Sequence, residues 1–269
     1  MPPKNLNTIW RTPKYLPYIQ PPLTDKIIAA AEKKIGYKLP KEYLDLLKIQ
    51  NGGYIRFTLK DTLHDQINGI GPYYPSITEF EWLSEYNDLS FEINGLFPFD
   101  GDGHWNICLD YRKNQNEPVV TYIDTESDYE QSVAATFRDY LKLLELDTES
   151  KFVIETSAGI ETVVQQISKV VNIEFGEPDT YAYGYPVYRS SYKDSWIWVS
   201  PNLVPTGFVR KEDERYEELK PQMETMALRY PEISESALFI GVSEENVQME
   251  LFAKLSANGV AISPLADII

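Results

Sequence analysis

The run Leu39-Pro40-Lys41-Glu42-Tyr43-Leu44-Asp45-Leu46-Leu47, closed by Asn51-Gly52-Gly53, constrains this chain more than any other feature. A proline in the first turn of a helix costs little, because its missing N–H would have no partner there, and glycines beyond the end supply left-handed dihedrals. A short helix with a sharp stop is therefore predicted. Further on, Phe97-Pro98-Phe99-Asp100-Gly101-Asp102-Gly103-His104-Trp105-Asn106-Ile107-Cys108-Leu109-Asp110 reads as an acidic turn feeding a strand.

Hydrophobic spacing organises the rest. Residues 1–22 hold Pro2, Pro3, Pro13, Pro17, Pro21 and Pro22, too many for a helix or a central strand, and are expected to form an extended arm that packs Trp10, Tyr15, Leu16, Tyr18 and Ile19 on the domain behind it. Thr24 is placed as the N-cap of a helix with Ile27, Ile28, Ala31 and Ile35 on one face and Gly36 as its stop. Residues 54–59 alternate as a strand, and Ser76 or Thr78 is expected to cap a short helix carrying Phe80, Trp82 and Leu83. Residues 104–111 and 119–124 form a hairpin around a polar loop. Residues 132–145 close the domain as a helix with Val133, Phe137, Tyr140, Leu141 and Leu144 on its apolar side.

A polar link then leads to a second α/β region over 151–269. It opens with an amphipathic helix on Ile160, Val163, Val164, Ile167 and Val171. Aromatic alternation at Tyr181, Tyr183, Tyr185 and at Trp196, Trp198 predicts strands, and a charged helix is expected from Lys211 through Met223, Met226 and Tyr230, kinked at Pro221. Residues 237–242, a helix starting at Ser243-Glu244-Glu245, and residues 260–262 read as a closing βαβ unit. The predicted organisation is an arm (1–22), a domain (23–148) and a second domain (151–269).

Composition bounds what such a chain can bind. The formal net charge is −16, shared evenly at −8 for residues 1–150 and −8 for residues 151–269. Such a surface repels phosphate backbones, which disfavours nucleic acid, and draws basic proteins inward. No apolar run approaches the roughly 20 residues that span a bilayer, and the start lacks the apolar core of a signal peptide, so the expected location is the cytoplasm with no membrane partner. The one cysteine, Cys108, leaves no internal disulfide and no cysteine-rich zinc site.

With these residues in view, the stretch from about 23 to 146 resembles the SUKH superfamily, which includes fungal regulators of cell-wall assembly and bacterial immunity proteins. The likeness rests on Leu39-Pro40-x-x-Tyr43-x-x-Leu46-Leu47 with Asn51-Gly52-Gly53, on Phe97-Pro98-Phe99 leading into Asp100-Gly101-Asp102-Gly103, on Asn106-Ile107-Cys108-Leu109-Asp110, on residues 119–124, and on Phe137 with Tyr140-Leu141. It implies an α+β fold, an antiparallel sheet flanked by helices and left partly open for a partner, with no catalytic residues. Residues 151–269 lie outside it.

Chemistry-bearing residues are few. An EF-hand loop starting at Asp100 would need an oxygen at its fifth position and a bidentate Glu at its twelfth, where His104 and Tyr111 stand. The Asp-Gly run is therefore expected to be an Asx-type turn or an acidic contact, with no metal. His104 and Cys108 share a strand face but lie about 13 Å apart at strand rise, beyond hydrogen-bond reach, and His64 with them makes no motif. No phosphate-cradling glycine motif occurs, and no cofactor is expected. Aromatic anchors beside acidic steering groups make Tyr54, Tyr73, Tyr74, Asp100, Asp102 and His104 the predicted partner contacts. The resulting expectation is a non-enzymatic immunity or antitoxin-type protein that neutralises a cognate toxin. The alternatives are an intracellular scaffold or regulator that recruits host proteins, and an enzyme with the acids of residues 212–218 at its centre, although those acids also fit a solvated helix face.

Overall fold

Apolar spacings of three and four residues build the first two helices, and a period of two builds the sheet that they cover. The computed structural model describes residues 6–82, 89–223 and 225–269. They form two compact units, Met1–Asp147 and Thr148–Ile269, each of mixed α+β structure.

In the N-terminal unit, α1 (Asp25–Ile35) starts where Thr24 Oγ1 accepts the Ile27 N–H at 3.3 Å and stops at Gly36, whose φ of +86° suits glycine. Helix α2 (Lys41–Ile49) follows, with Pro40 at the N-cap and Tyr43, Leu46 and Leu47 buried. Four antiparallel strands run in sequence order across one sheet: β1 (Leu96–Gly101), β2 (Trp105–Asp110), β3 (Val119–Asp124) and β4 (Tyr129–Ala134). One sheet face sends Phe99, Ile107, Leu109 and Val120 into the core, against Tyr43, Leu46 and Leu47 of α2 and Phe137, Tyr140 and Leu141 of α3 (Phe137–Leu143). The opposite face packs Leu96, Cys108 and Ile123 against Trp82 and Phe91.

Three predicted elements take a different form. The strand over 54–59 divides into Gly53–Tyr54, paired with Gln66–Ile67, and Phe57–Thr58, paired with Glu145–Leu146. The backbone changes partner at each step between them: Ile55 N donates to Asp65 O, and Arg56 N to Ile9 O in the arm. The helix expected after Ser76 is a turn. Ser76 Oγ accepts from both Gly71 N and Thr78 N, and Ser76 bridges Gly69, so it closes a loop instead of capping a helix; Leu83 lies outside the described residues. The closing helix begins at Phe137, capped by Thr136 Oγ1 on Asp139 N, because residues 129–134 are spent pairing with β3.

The C-terminal unit comprises β5 (Phe152–Ile154), α4 (Ile160–Val171), β6 (Tyr188–Tyr192), β7 (Ser195–Pro201), β8 (Leu238–Val242), α5 (Glu245–Ser256) and β9 (Ile262–Pro264). The sheet order is β6-β7-β8-β5-β9 with every pairing antiparallel. Strands β8 and β9 are therefore mutually parallel, and α5 carries the chain from one to the other past β5. Setting β6 aside as an added edge, the β5-α4-β7-β8-α5-β9 path is a split βαβ arrangement of ferredoxin-like type. The alternating tyrosines at 181–185 lie in a turn with Gly184 at φ +72°, and Tyr181 N donates to Asp179 Oδ1. The long helix expected from Lys211 is reduced to Tyr216–Leu219 and a 3-10 turn at Lys220–Met223. Pro221 cannot continue the hydrogen-bond ladder, and Met226–Leu228 is a strand paired with Leu203–Pro205.

The two sequence signatures meet at Asn68. Tyr43 OH donates to Asn68 O at 2.6 Å, and Asn68 N donates to Phe99 O at 2.6 Å. Nearby, the buried Asn51 carboxamide donates to Pro21 O (2.6 Å) and Ile70 O (2.9 Å) and accepts from Ile70 N (2.8 Å). Tyr43→Phe should cost about 1–2 kcal/mol by leaving one carbonyl unpaired, and Asn51→Ala about 3 kcal/mol by leaving several backbone groups unpaired. Urea denaturation of the two variants should show that order, with unchanged slope.

Candidate functional site

The strand Gln66–Ile67 with the irregular segment after it, and the turn after β1, face each other across a cleft of about 390 Å³. One side is Gln66, Asn68, Tyr74, Pro75 and Ser76, continued by Glu79, Phe80 and Glu81; the other is Pro98, residues 100–103 and Asn106.

A bulge produces the second wall. Register slips between Pro98 and Asp100, so pairing resumes at Asp100 opposite Ile107 and Gly101 opposite Asn106 with the strand bent at the bulge. At Gly101, with φ of +155°, a Cβ would come within 2.4 Å of Trp105 O and 2.3 Å of Asn106 Oδ1, so no side chain fits. Asp102 then closes the turn, its Oδ1 accepting His104 N at 2.9 Å and Trp105 N at 3.1 Å. Partial burial pushes the Asp102 carboxyl up, but these N–H groups and the nearby His104 outweigh it and hold it below the usual carboxylate range.

Asp100 points elsewhere. It is 4% exposed, with Oδ2 at 2.5 Å from His64 Nδ1 and Oδ1 accepting Gly101 N. Its carboxylate is thus turned to the interior, where it anchors the turn. The fully buried His64 offers its other ring nitrogen to Tyr140 OH at 2.5 Å, and burial drives that phenol well above its usual range. Both imidazole nitrogens face buried partners, and the ring is sealed from solvent. Cys108 is fully buried on the opposite sheet face, where burial raises its thiol well above the usual value.

Of the predicted contacts, Tyr74, Asp100 and Asp102 line the cleft. Tyr74 is 75% exposed. Tyr54 does not line the cleft, but Tyr18 of the arm packs against it (centroids 5.4 Å) and against Tyr74 (6.3 Å), making one aromatic cluster. Tyr73 has its backbone held by Gln20, whose Oε1 accepts Tyr73 N at 3.0 Å and whose Nε2 donates to Tyr73 O and Pro75 O. His104 is exposed and pairs with Glu126 at 2.8 Å, outside the lining. Of the acids at residues 212–218, Glu217 pairs with Lys220, Glu218 with Arg215, Glu212 accepts from Tyr181 OH, and Asp213 accepts Arg210 N.

Sequence reasoning missed Gln20, Gln66, Asn68, Glu79, Glu81 and Asn106. A signal existed for Asn106. On β2 the odd positions Ile107 and Leu109 face the core, and Asn106 falls on the alternate face with Cys108, where a polar residue in an apolar strand marks either a partner or a cavity.

Asp102 supplies a pH test. Its folded carboxyl titrates below its unfolded one, so its contribution to the turn is present above the ordinary aspartate range and is lost as pH falls through the lowered folded value. Carbon-detected NMR titration should place its midpoint below the ordinary aspartate value, with the His104 and Trp105 amides moving on the same curve. Asp102→Ala should shift both amides at neutral pH and cost on the order of 1 kcal/mol.

Comparison with known proteins agrees with the sequence likeness over one segment. Residues 22–143 match the SMI1 / KNR4 family (SUKH-1). Searches of curated proteins and of solved structures returned no match. Among the described residues no helix is long and apolar enough to cross a membrane, and no three His, Cys, Asp or Glu side chains are placed to hold a metal ion. Residues 22–143 thus carry the SUKH-1 pattern, and the Tyr43, Asn51 and Phe99 of that match are the residues that pin the walls of the cleft.

Proposed function

We propose that this protein is a non-enzymatic, protein-binding immunity or antitoxin-type protein that neutralises a cognate bacterial toxin by covering a functional face of it. The observation that carries the reading is a cleft with acidic and aromatic lining, built inside the segment that matches the SUKH-1 family. Its walls are preshaped, so binding need not order them, and the formal −16 charge of the chain favours a basic partner.

The reading is tested by co-expression with a toxic polypeptide encoded beside this gene. Cells should survive with the wild-type chain, and the purified pair should elute together. Tyr74→Ala with Glu81→Gln, both at exposed positions, should weaken the complex about tenfold or more and erode protection without lowering the melting temperature. Failure of the soluble, folded wild-type chain to protect against any neighbouring toxic product would overturn it.

A further inference from the structure

The four-stranded sheet of the N-terminal unit ends at a strand with nothing beside it. Among the described residues no strand or loop hydrogen-bonds to the outer side of β4, and residues 129–132 are exposed. Alternate residues of an edge strand aim their N–H and C=O groups off the sheet, at a spacing that another extended chain matches. Proteins ordinarily blunt such an edge with lysine, proline, a bulge or a covering loop. Here Tyr129–Ala134 holds no lysine or proline, and its one charged side chain, Glu130, is turned to Arg112 at 2.6 Å. The bulge skips Val133, so Tyr129, Glu130, Gln131 and Ser132 keep a regular ladder with β3.

Beside this edge runs an aromatic and acidic strip. Residues directly opposite on neighbouring strands share a face, so Trp105, Tyr122 and Asp124 stand on the face of Gln131 and Tyr129. Trp105 stacks on Tyr122 at 6.2 Å between centroids, and Tyr129 is 48% exposed. Asp124 Oδ1 accepts Ser127 N at 2.9 Å and Glu126 N at 3.0 Å, and these N–H groups hold its carboxyl below the usual range. Glu126 and Asp128 follow on the exposed turn, and none of these residues lines the cleft. We propose that β4 is a docking edge to which an extended segment of a partner protein adds as a fifth, antiparallel strand, with basic residues at the C-terminal end that passes the 124–128 turn. The inference goes beyond the cleft and holds whatever the cleft binds. Charge favours this occupant over a second copy of the chain. A copy would bring its own −16 to an edge flanked by Asp124, Glu126 and Asp128, whereas a basic strand is drawn there. Backbone pairing supplies affinity in such an arrangement, and the aromatic strip supplies the choice of side chains.

The probe is the blocked peptide acetyl-Thr-Val-Thr-Val-Lys-Val-Lys-amide, titrated into the ¹⁵N-labelled full chain. The expected result is saturable binding that shifts the backbone amides of residues 129–133 and slows solvent exchange at alternate ones about tenfold or more. N-methylation of alternate peptide residues strips the donors from one side of the strand. Of the two peptides made this way, one should bind about tenfold or more weaker than the other, because only one side faces β4. Glutamate in place of both lysines should weaken binding about tenfold at low salt. Gln131→Lys, at an exposed position, should do the same with the melting temperature unchanged. Equal binding of the two methylated peptides, shifts confined to the cleft, or no binding of the parent peptide would overturn the docking edge. Exchange protection of β4 that rises with protein concentration in the absence of peptide would overturn the partner segment in favour of a second copy.

Discussion

An irregular segment with no ladder of its own must still satisfy its backbone, and in this protein side-chain amides do it. Residues 68–75 are held by Gln20 on Tyr73 and Pro75, by Asn51 on Ile70, and by Tyr43 and Phe99 on Asn68. The three amides Gln20, Asn51 and Asn68 are buried, so each lost contact would leave a dry, unpaired group. The glycines belong to the same device. A Cβ on Gly52 would lie 2.6 Å from Gly69 N, one on Gly69 would lie 2.4 Å from Asn51 O, and the backbones touch only because neither side chain exists. One wall of the cleft is rigid for this reason.

The other wall is fixed from beneath. Asp100, His64 and Tyr140 form a buried chain of hydrogen bonds that ties the end of β1 to α3, and Phe99 packs its ring at 5.2 Å from Tyr140 and 5.5 Å from Phe137. Three titratable groups in contact invite a catalytic reading. Of the three, only Asp100 belongs to the lining of the cleft; His64 and Tyr140 lie behind it. In a sealed site such a network orients backbone, and here the backbone it orients is the acidic turn.

Much of this was legible in the sequence, and the reason differs by element. Helices α1, α2 and α4 were legible because Thr24, Pro40, Gly36 and the apolar spacing act locally. The hairpin β2–β3 was legible because its alternation faces two buried sides. Residues 132–145 misled because Val133 fits a helical face as well as a strand, and only pairing with β3 decides. Tyr181, Tyr183 and Tyr185 misled for the same reason: period two does not tell a strand from a turn without a partner strand. The site was half legible. Tyr74 and Asp102 followed from residue type, whereas the burial of Asp100 depends on His64, distant in sequence, and no local pattern announces that pair.

Charge and shape then divide the work of recognition. A net −16 spread over both halves of the chain attracts any basic body and discriminates little among them. Discrimination needs groups that cannot move to suit the wrong ligand. In this protein the carboxylate of Asp102, tethered by two N–H groups, is such a group. On the protein-binding reading proposed above, long-range attraction governs how often a partner arrives, and the tethered acid on a shaped wall bears on which one stays.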